Sequence, residues 1–285
     1  MAKYCSLNGD ILPLSEAGLG LTDLAILRGY GIFDYFLFKY GQPLLETAYF
    51  SRFFASAEKM NLAVPLSKAK LSSHLRALIA ANGQTQGAIR LVLTGGYSPD
   101  GYSPGEANLI VLIHPYPNLP EAYFQDGVGL ITHNYQREWP EIKTINYLSG
   151  IKLLPQIRQA NALEVLYHAN GILLEAVRSN IFLISDKEEL ITPHANILYG
   201  VTRRSVLDIA EGQLPIIERE VRLEELFRAR EAFITGTNKS VMPIVWADNH
   251  TIGNGKVGPW ARKFREALEA YREADYKAGE RHQRP

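Results

Sequence analysis

His114-Pro115-Tyr116-Pro117-Asn118-Leu119-Pro120 packs three prolines into seven residues. Proline fixes φ and removes a backbone donor, so this stretch continues neither a helix nor a central strand. It predicts a linker between two domains meeting near residue 118. On its N-terminal side, Ile32 to Phe38 is rich in aromatics and reads as a strand, closed by a turn at Lys39-Tyr40-Gly41-Gln42-Pro43. Thr47 is expected to cap a helix to about Met60, with Tyr49, Phe53, Ala57 and Met60 at helical spacing. Ser67 is expected to cap a second helix, with Leu71, Leu75, Leu78 and Ile79 as its apolar stripe and Gly83 as its stop. Ile89 to Leu93 and Leu109 to Ile113 have strand length. This half predicts an α+β domain with helices on one face of its strands.

On the C-terminal side short strands dominate. Leu163 to Tyr167 and Ile172 to Leu174 flank Asn170-Gly171, a strong hairpin signal. Asn180 to Ser185, Ile216 to Val221 and Ala232 to Thr235 read as further strands, Thr202 to Ala210 as a helix, and Pro259 to about Ala274 as a final amphipathic helix.

Composition narrows the function classes. The chain has 285 residues, 46% of them hydrophobic, which is enough for a buried core and excludes dominant disorder. Thirty basic residues balance thirty acidic ones, so no global field favours nucleic acid or an anionic membrane surface. No apolar run approaches membrane-spanning length, and the lone Cys5 forms no internal disulfide. Met1-Ala2-Lys3-Tyr4 lacks the apolar core of a signal peptide, and the expectation is a cytoplasmic protein.

Several residues carry possible chemistry. Lys143 lies among apolar neighbours in Pro140-Glu141-Ile142-Lys143-Thr144-Ile145-Asn146-Tyr147-Leu148. It is either a surface lysine between two elements or a desolvated amine able to form a Schiff base. A helix starting near Thr144 would bring Asn146 and Tyr147 back towards it. Glu175 follows three apolar residues and needs a partner if buried, with Arg178 the local candidate and a protonated pyridine the sharper one. Gly200-Val201-Thr202-Arg203 enters a helix, and Thr235-Gly236-Thr237-Asn238 follows a strand; either could hold a phosphate. Arg52 is either solvated or aimed at phosphate oxygens. Arg90 in Ala88-Ile89-Arg90-Leu91-Val92-Leu93 and Arg28 beside Gly29 either pair with an internal carboxylate such as Asp34 or receive a substrate carboxylate.

Taken in order, the segments around Arg52, Lys143, Glu175, Gly200-Val201-Thr202-Arg203 and Gly236-Thr237 resemble the class IV aminotransferases, the fold type IV enzymes of pyridoxal 5′-phosphate (PLP). The resemblance runs from Tyr4-Cys5-Ser6-Leu7-Asn8-Gly9 to Gly255-Lys256-Val257-Gly258. It implies a small N-terminal α/β sandwich-like domain, residues 1–117, and a larger barrel-like C-terminal domain with helices, residues 118–285. It further implies that Lys143 carries PLP and moves the proton between the substrate's α-carbon and the coenzyme. Glu175 would face the pyridine nitrogen and Tyr147 the phenolic oxygen. Arg52, the amides of Val201 and Thr202, and Thr237 would anchor the phosphate. Similar enzymes are homodimers, in which the Arg28 segment would come from the neighbouring subunit. No metal is implied.

The resemblance is greatest to D-amino acid transaminases, but one motif departs. Their Arg-x-His pair for the substrate carboxylate corresponds here to Asp100 and Tyr102 in Gly96-Tyr97-Ser98-Pro99-Asp100-Gly101-Tyr102. Arg28, Arg90 and Arg178 are the candidates to replace it. The expected partners are an amino acid, a D-amino acid first, and a 2-keto acid such as 2-oxoglutarate or pyruvate. An L-branched-chain transaminase, an aminodeoxychorismate lyase and a non-catalytic PLP binder are the alternatives.

Overall fold

The Asn170-Gly171 pair joins strands Glu164–Ala169 and Ile172–Ala176 in a computed structural model of the protein, which describes residues 2–283. Both turn residues have positive φ, 49° and 84°, as the twist of a two-residue hairpin requires. The chain forms two compact units. One comprises the run up to Pro117, Ile142–Asn146 and the segment from Asp275 onward; the other comprises Asn118–Glu141 and Tyr147–Ala274. The sequence reading drew one boundary at 117/118, whereas the chain passes between units there and again after residues 141, 146 and 274.

The first unit is built on a six-stranded antiparallel sheet in the order Asp10–Pro13, Tyr4–Leu7, Leu109–His114, Gln86–Thr94, Gly31–Lys39, Gln42–Pro43. Its central register sets Tyr35 opposite Arg90 and Arg90 opposite Leu112. Alternation places Ile89, Leu91 and Leu93 in the core, while Arg90 and Val92 keep partial exposure on the other face. Helices Glu46–Lys59 and Lys68–Asn82 belong to this unit, and the Phe36 ring stacks on Tyr49 at 5.0 Å. Ser67 caps the second helix and Gly83 ends it in the left-handed region, as expected. The first helix departs from expectation: it starts at Glu46 after Leu45, without a side-chain cap, so Thr47 lies inside it.

Residues 142–146 form no helix. Thr144 bridges Ile32, Phe33 N–H donates to the Lys143 carbonyl at 2.9 Å, and Ile145 N–H donates to the Gly31 carbonyl at 3.1 Å. The short strand Gln42–Pro43 covers Gly31–Lys39 only at Phe38 and Lys39. The other end of that edge therefore has unpaired backbone groups, and this segment satisfies them. The helix expected near Thr144 starts only at Leu148.

The second unit holds a closed ring of six strands: Val128–Asn134, Glu164–Ala169, Ile172–Ala176, Ser179–Ile184, Glu231–Gly236 and Ser240–Ala247. The ring closes through the tight turn at Val177-Arg178, where Ala176 pairs with Ser179 and Glu175 with Asn180. One apolar cluster takes Leu130, Leu166, Leu173, Ile181, Ile234 and Met242 from the six strands in turn. Their sequence neighbours Phe182, Phe233 and Val241 enter a second cluster with Phe264 and Leu268 of the final helix. Strand Ser179–Ile184 is thus buried on both faces, which explains its continuous apolar run. The expected strand at 216–221 ends at Arg219, and the final helix runs on to Gln283. The fold class is α+β with a barrel, and among the described residues no helix is long and apolar enough to cross a membrane.

Candidate active site

In the first unit the edge pairing of residues 143–145 fixes the backbone that carries Lys143. The Lys143 Nζ lies 4.6 Å from the centroid of the Phe33 ring. The Arg90 guanidinium lies 5.4 Å from the same centroid and 5.4 Å from that of Tyr35. Aromatic faces attract both cations. Among the described residues no carboxylate pairs with Arg90, and its charge helps to hold the His114 imidazole, already lowered by burial, below its usual pKa.

Asp34 is fully buried and pairs with Arg52, not with Arg28 or Arg90. Its carboxylate accepts from Arg52 Nε at 3.0 Å and Nη2 at 2.6 Å. A bidentate clamp of this kind fixes the plane of the guanidinium. Arg28 is exposed at the end of the short helix Leu24–Arg28 and donates to the neighbouring Leu27 carbonyl at 2.9 Å. Asp100 is engaged by its own loop: it accepts from Ser103 Oγ at 2.6 Å, Ser103 N at 2.7 Å, Tyr102 N at 2.8 Å and Ser98 Oγ at 3.1 Å. These donors, Ser103 foremost, hold its carboxyl well below the usual range.

In the second unit the closing turn of the barrel brings carboxylates and cations together. Glu175 Oε1 accepts from Arg137 Nε at 2.9 Å and Nη2 at 2.7 Å, and Oε2 accepts from Leu198 N at 3.1 Å. Arg178, the expected local partner of Glu175, pairs instead with Glu164 at 3.2 Å: Glu175 faces Asn180 across the ladder, while Arg178 lies in the closing turn itself. Arg137 is the residue the sequence reading missed. It lies 38 positions from Glu175, and no local pattern marks it. Tyr147 sits just before helix Leu148–Lys152, and burial pushes its phenol up to about 12, against the pull of Arg137.

Helix Val201–Ala210 starts at Gly200 with no side-chain cap. Val201 and Thr202 are buried in its first turn. The neighbouring Arg203, also buried, is turned to the Pro193 carbonyl and Glu218. Thr237 lies in the turn between strands Glu231–Gly236 and Ser240–Ala247, and its carbonyl accepts from Arg272 Nη2 at 3.3 Å. The structure therefore gathers Arg28, Arg52, Arg90 and Lys143 in one unit, and Tyr147, Glu175, Arg178, Val201, Thr202 and Thr237 in the other.

Residues 31–246 match the family model for amino-transferase class IV. The chain is 30% identical over 271 residues to a D-alanine aminotransferase of Bacillus licheniformis, covering 92% of this chain and 94% of that protein. It is 27% identical to a putative branched-chain-amino-acid aminotransferase of Methanocaldococcus jannaschii, covering 93% and 95%. Among solved structures it is similar to the branched-chain amino acid aminotransferase of Escherichia coli, with a TM-score of 0.88 at 23% identity over 95% of each chain. The chain belongs to the class IV aminotransferases, whose coenzyme is PLP.

The residues present fit that coenzyme. The uncapped first-turn amides at Val201 and Thr202 suit a phosphate. A Cβ on Gly200 would come 2.2 Å from Asn180 Oδ1, so only glycine lets the backbone lie this close. The Thr235 Oγ1 is buried with no hydrogen-bond partner among the described residues. The Glu175 carboxylate, held in place by Arg137 and the Leu198 amide, suits a cationic ring nitrogen.

Proposed function

We propose that the protein is a transaminase that takes the amino group of a D-amino acid and delivers it to a 2-keto acid such as 2-oxoglutarate or pyruvate. One observation supports it most. Lys143 and Arg90 lie against the same Phe33 ring, which supports reading the first as the coenzyme amine and the second as a receptor for a substrate carboxylate. The likeness to D-alanine aminotransferases along most of the chain favours the D-series. The protein acts in the cytoplasm as a homodimer, in which Arg28 serves the neighbouring subunit.

When bound, PLP supplies an electron-poor ring that takes up the electron pair released at the substrate's α-carbon. Lys143 holds the coenzyme through its amine and then moves the proton at the α-carbon. Glu175, oriented by Arg137 and the Leu198 amide, holds a proton at the ring nitrogen. Tyr147 stays a neutral phenol at working pH and would donate a hydrogen bond to the ring oxygen. Asp34 presets the fork of Arg52 for the phosphate, which the Val201 and Thr202 amides and Thr237 also hold. Arg28, Arg90 and Arg178 bind substrate carboxylate.

A branched-chain L-amino acid transaminase is the second reading, supported by the Methanocaldococcus relative and the Escherichia coli fold match. Mixing the holoenzyme in turn with D-alanine, D-glutamate, L-leucine and L-glutamate separates the two. The D-amino acids are expected to bleach the lysine-bound coenzyme band and produce the amine form. Conversion by L-leucine, with none by either D-amino acid, overturns the proposal in favour of the second reading.

A further inference from the structure

Lysine is almost never fully buried unless paired, yet Lys239 is 3% exposed and its partner Glu164 is 2% exposed. Lys239 Nζ donates to Glu164 Oε2 at 2.8 Å and to Ser179 Oγ at 2.9 Å, and Ser179 Oγ donates to Glu164 Oε2 at 2.9 Å. Such a pair is weak evidence for stability, because desolvating two charges offsets most of their attraction. What it does achieve is geometric. Glu164 opens one barrel strand, Ser179 opens the strand after the closing turn, and Lys239 ends the turn that carries Thr237.

The two turns meet at their backbones. A Cβ on Gly236 would lie 3.1 Å from the Arg178 carbonyl and 3.5 Å from Ser179 Oγ. Lys239 N–H closes its own turn onto the Gly236 carbonyl at 3.2 Å. On the far side of Glu164, Oε1 accepts from Arg178 Nε, at 3.2 Å, and from no other group among the described residues. Arg178 is 56% exposed, and its terminal nitrogens take no part in that contact. A bare carboxylate favours a bidentate grip on a guanidinium. Lys239, by taking up the charge of Glu164, leaves Arg178 in a single-point contact instead.

We infer that Lys239 is a positioning residue: through Glu164 and Ser179 it keeps the Arg178 guanidinium presented to substrate and ties the Thr237 turn to the turn that carries Arg178. This rests on the reading of Arg178 as a substrate contact and Thr237 as a coenzyme contact.

Three variants test it: K239M, E164Q/K239M and R178M. Each is measured for amino-donor KM, kcat, the PLP dissociation constant of the apoprotein, and Tm. K239M is expected to raise donor KM about tenfold, within the range of coupling between neighbouring groups, to weaken PLP, and to lower Tm. The double variant leaves no lone buried charge, so its Tm returns towards wild type while donor KM and PLP dissociation stay raised. Return of all three values together shows a merely structural pair and overturns the inference. Because the double variant carries no unpaired buried charge, it keeps the test available where K239M fails to fold. R178M is expected to raise donor KM by itself. An unchanged KM in R178M overturns the substrate role of Arg178, and the inference with it; a raised KM there with wild-type values in the double variant overturns the positioning role alone.

Discussion

Arg137→Met removes the cation that holds Glu175. The two side chains are 16% and 9% exposed, so solvent replaces little of what is lost. Both charged hydrogen bonds, at 2.9 and 2.7 Å, end on the same oxygen, so their strengths do not simply add. Removing one partner of a buried pair costs about 3–5 kcal/mol. The surviving Leu198 amide bond to the other oxygen places this case near the lower end, about 3 kcal/mol. For a domain the size of the barrel unit, that corresponds to a fall in Tm of about 6–12 °C. PLP should return part of this loss, because a protonated ring nitrogen gives Glu175 a new cation. The assay is thermal unfolding followed by far-UV circular dichroism, in apo form and with saturating PLP. The coenzyme-induced rise in Tm is expected to be larger in the variant than in the wild type. An apo variant that melts with the wild type refutes the energetic role of the pair. Equal coenzyme-induced shifts in both proteins refute the placement of Glu175 at the ring nitrogen.

Lys143→Ala is expected to lose the lysine-bound coenzyme band and transamination together; absorbance and coupled keto-acid assays on one preparation check this, and a retained band moves the linkage to another lysine. Arg90→Ile is expected to raise donor KM by at least about tenfold, as loss of a charged hydrogen bond implies, while PLP affinity stays near wild type; steady-state kinetics and coenzyme titration separate the two. Tyr147 has a phenol raised by burial to about 12, above the ordinary value of 10. The folded state therefore keeps this proton while the unfolded chain loses it. Stability from this group is fully present below pH 10 and falls as pH rises towards 12. Tyr147→Phe is expected to flatten the alkaline loss of Tm over that interval, and a wild-type slope in the variant contradicts the burial argument.

Local signals in the chain were enough for some elements and not for others, such as the barrel strands Val128–Asn134 and Ser240–Ala247. Ser67 and Gly83 bracket a helix because a cap needs only a side-chain oxygen two or three residues away and a stop needs only a backbone free to take positive φ. Asn170-Gly171 makes its hairpin for the same reason. The order of Arg52, Lys143, Glu175, Gly200 and Thr237 was enough to suggest the family, because each short motif keeps its place along the chain. Residues 142–146 misled the local reading, since their Lys-Thr-Ile-Asn composition carries no record of the uncovered edge of Gly31–Lys39 that they fill.

What the sequence determined by itself is local: the cap and stop of Lys68–Asn82, the Asn170-Gly171 hairpin and the alternation around Arg90. Tertiary structure alone decided who neutralises whom. Asp34 took Arg52, Glu175 took Arg137 and Glu164 took Lys239, across separations of 18, 38 and 75 positions. The physical reason is that a buried charge must find its partner in space, and closing a six-stranded ring brings together side chains that no window of neighbouring residues contains.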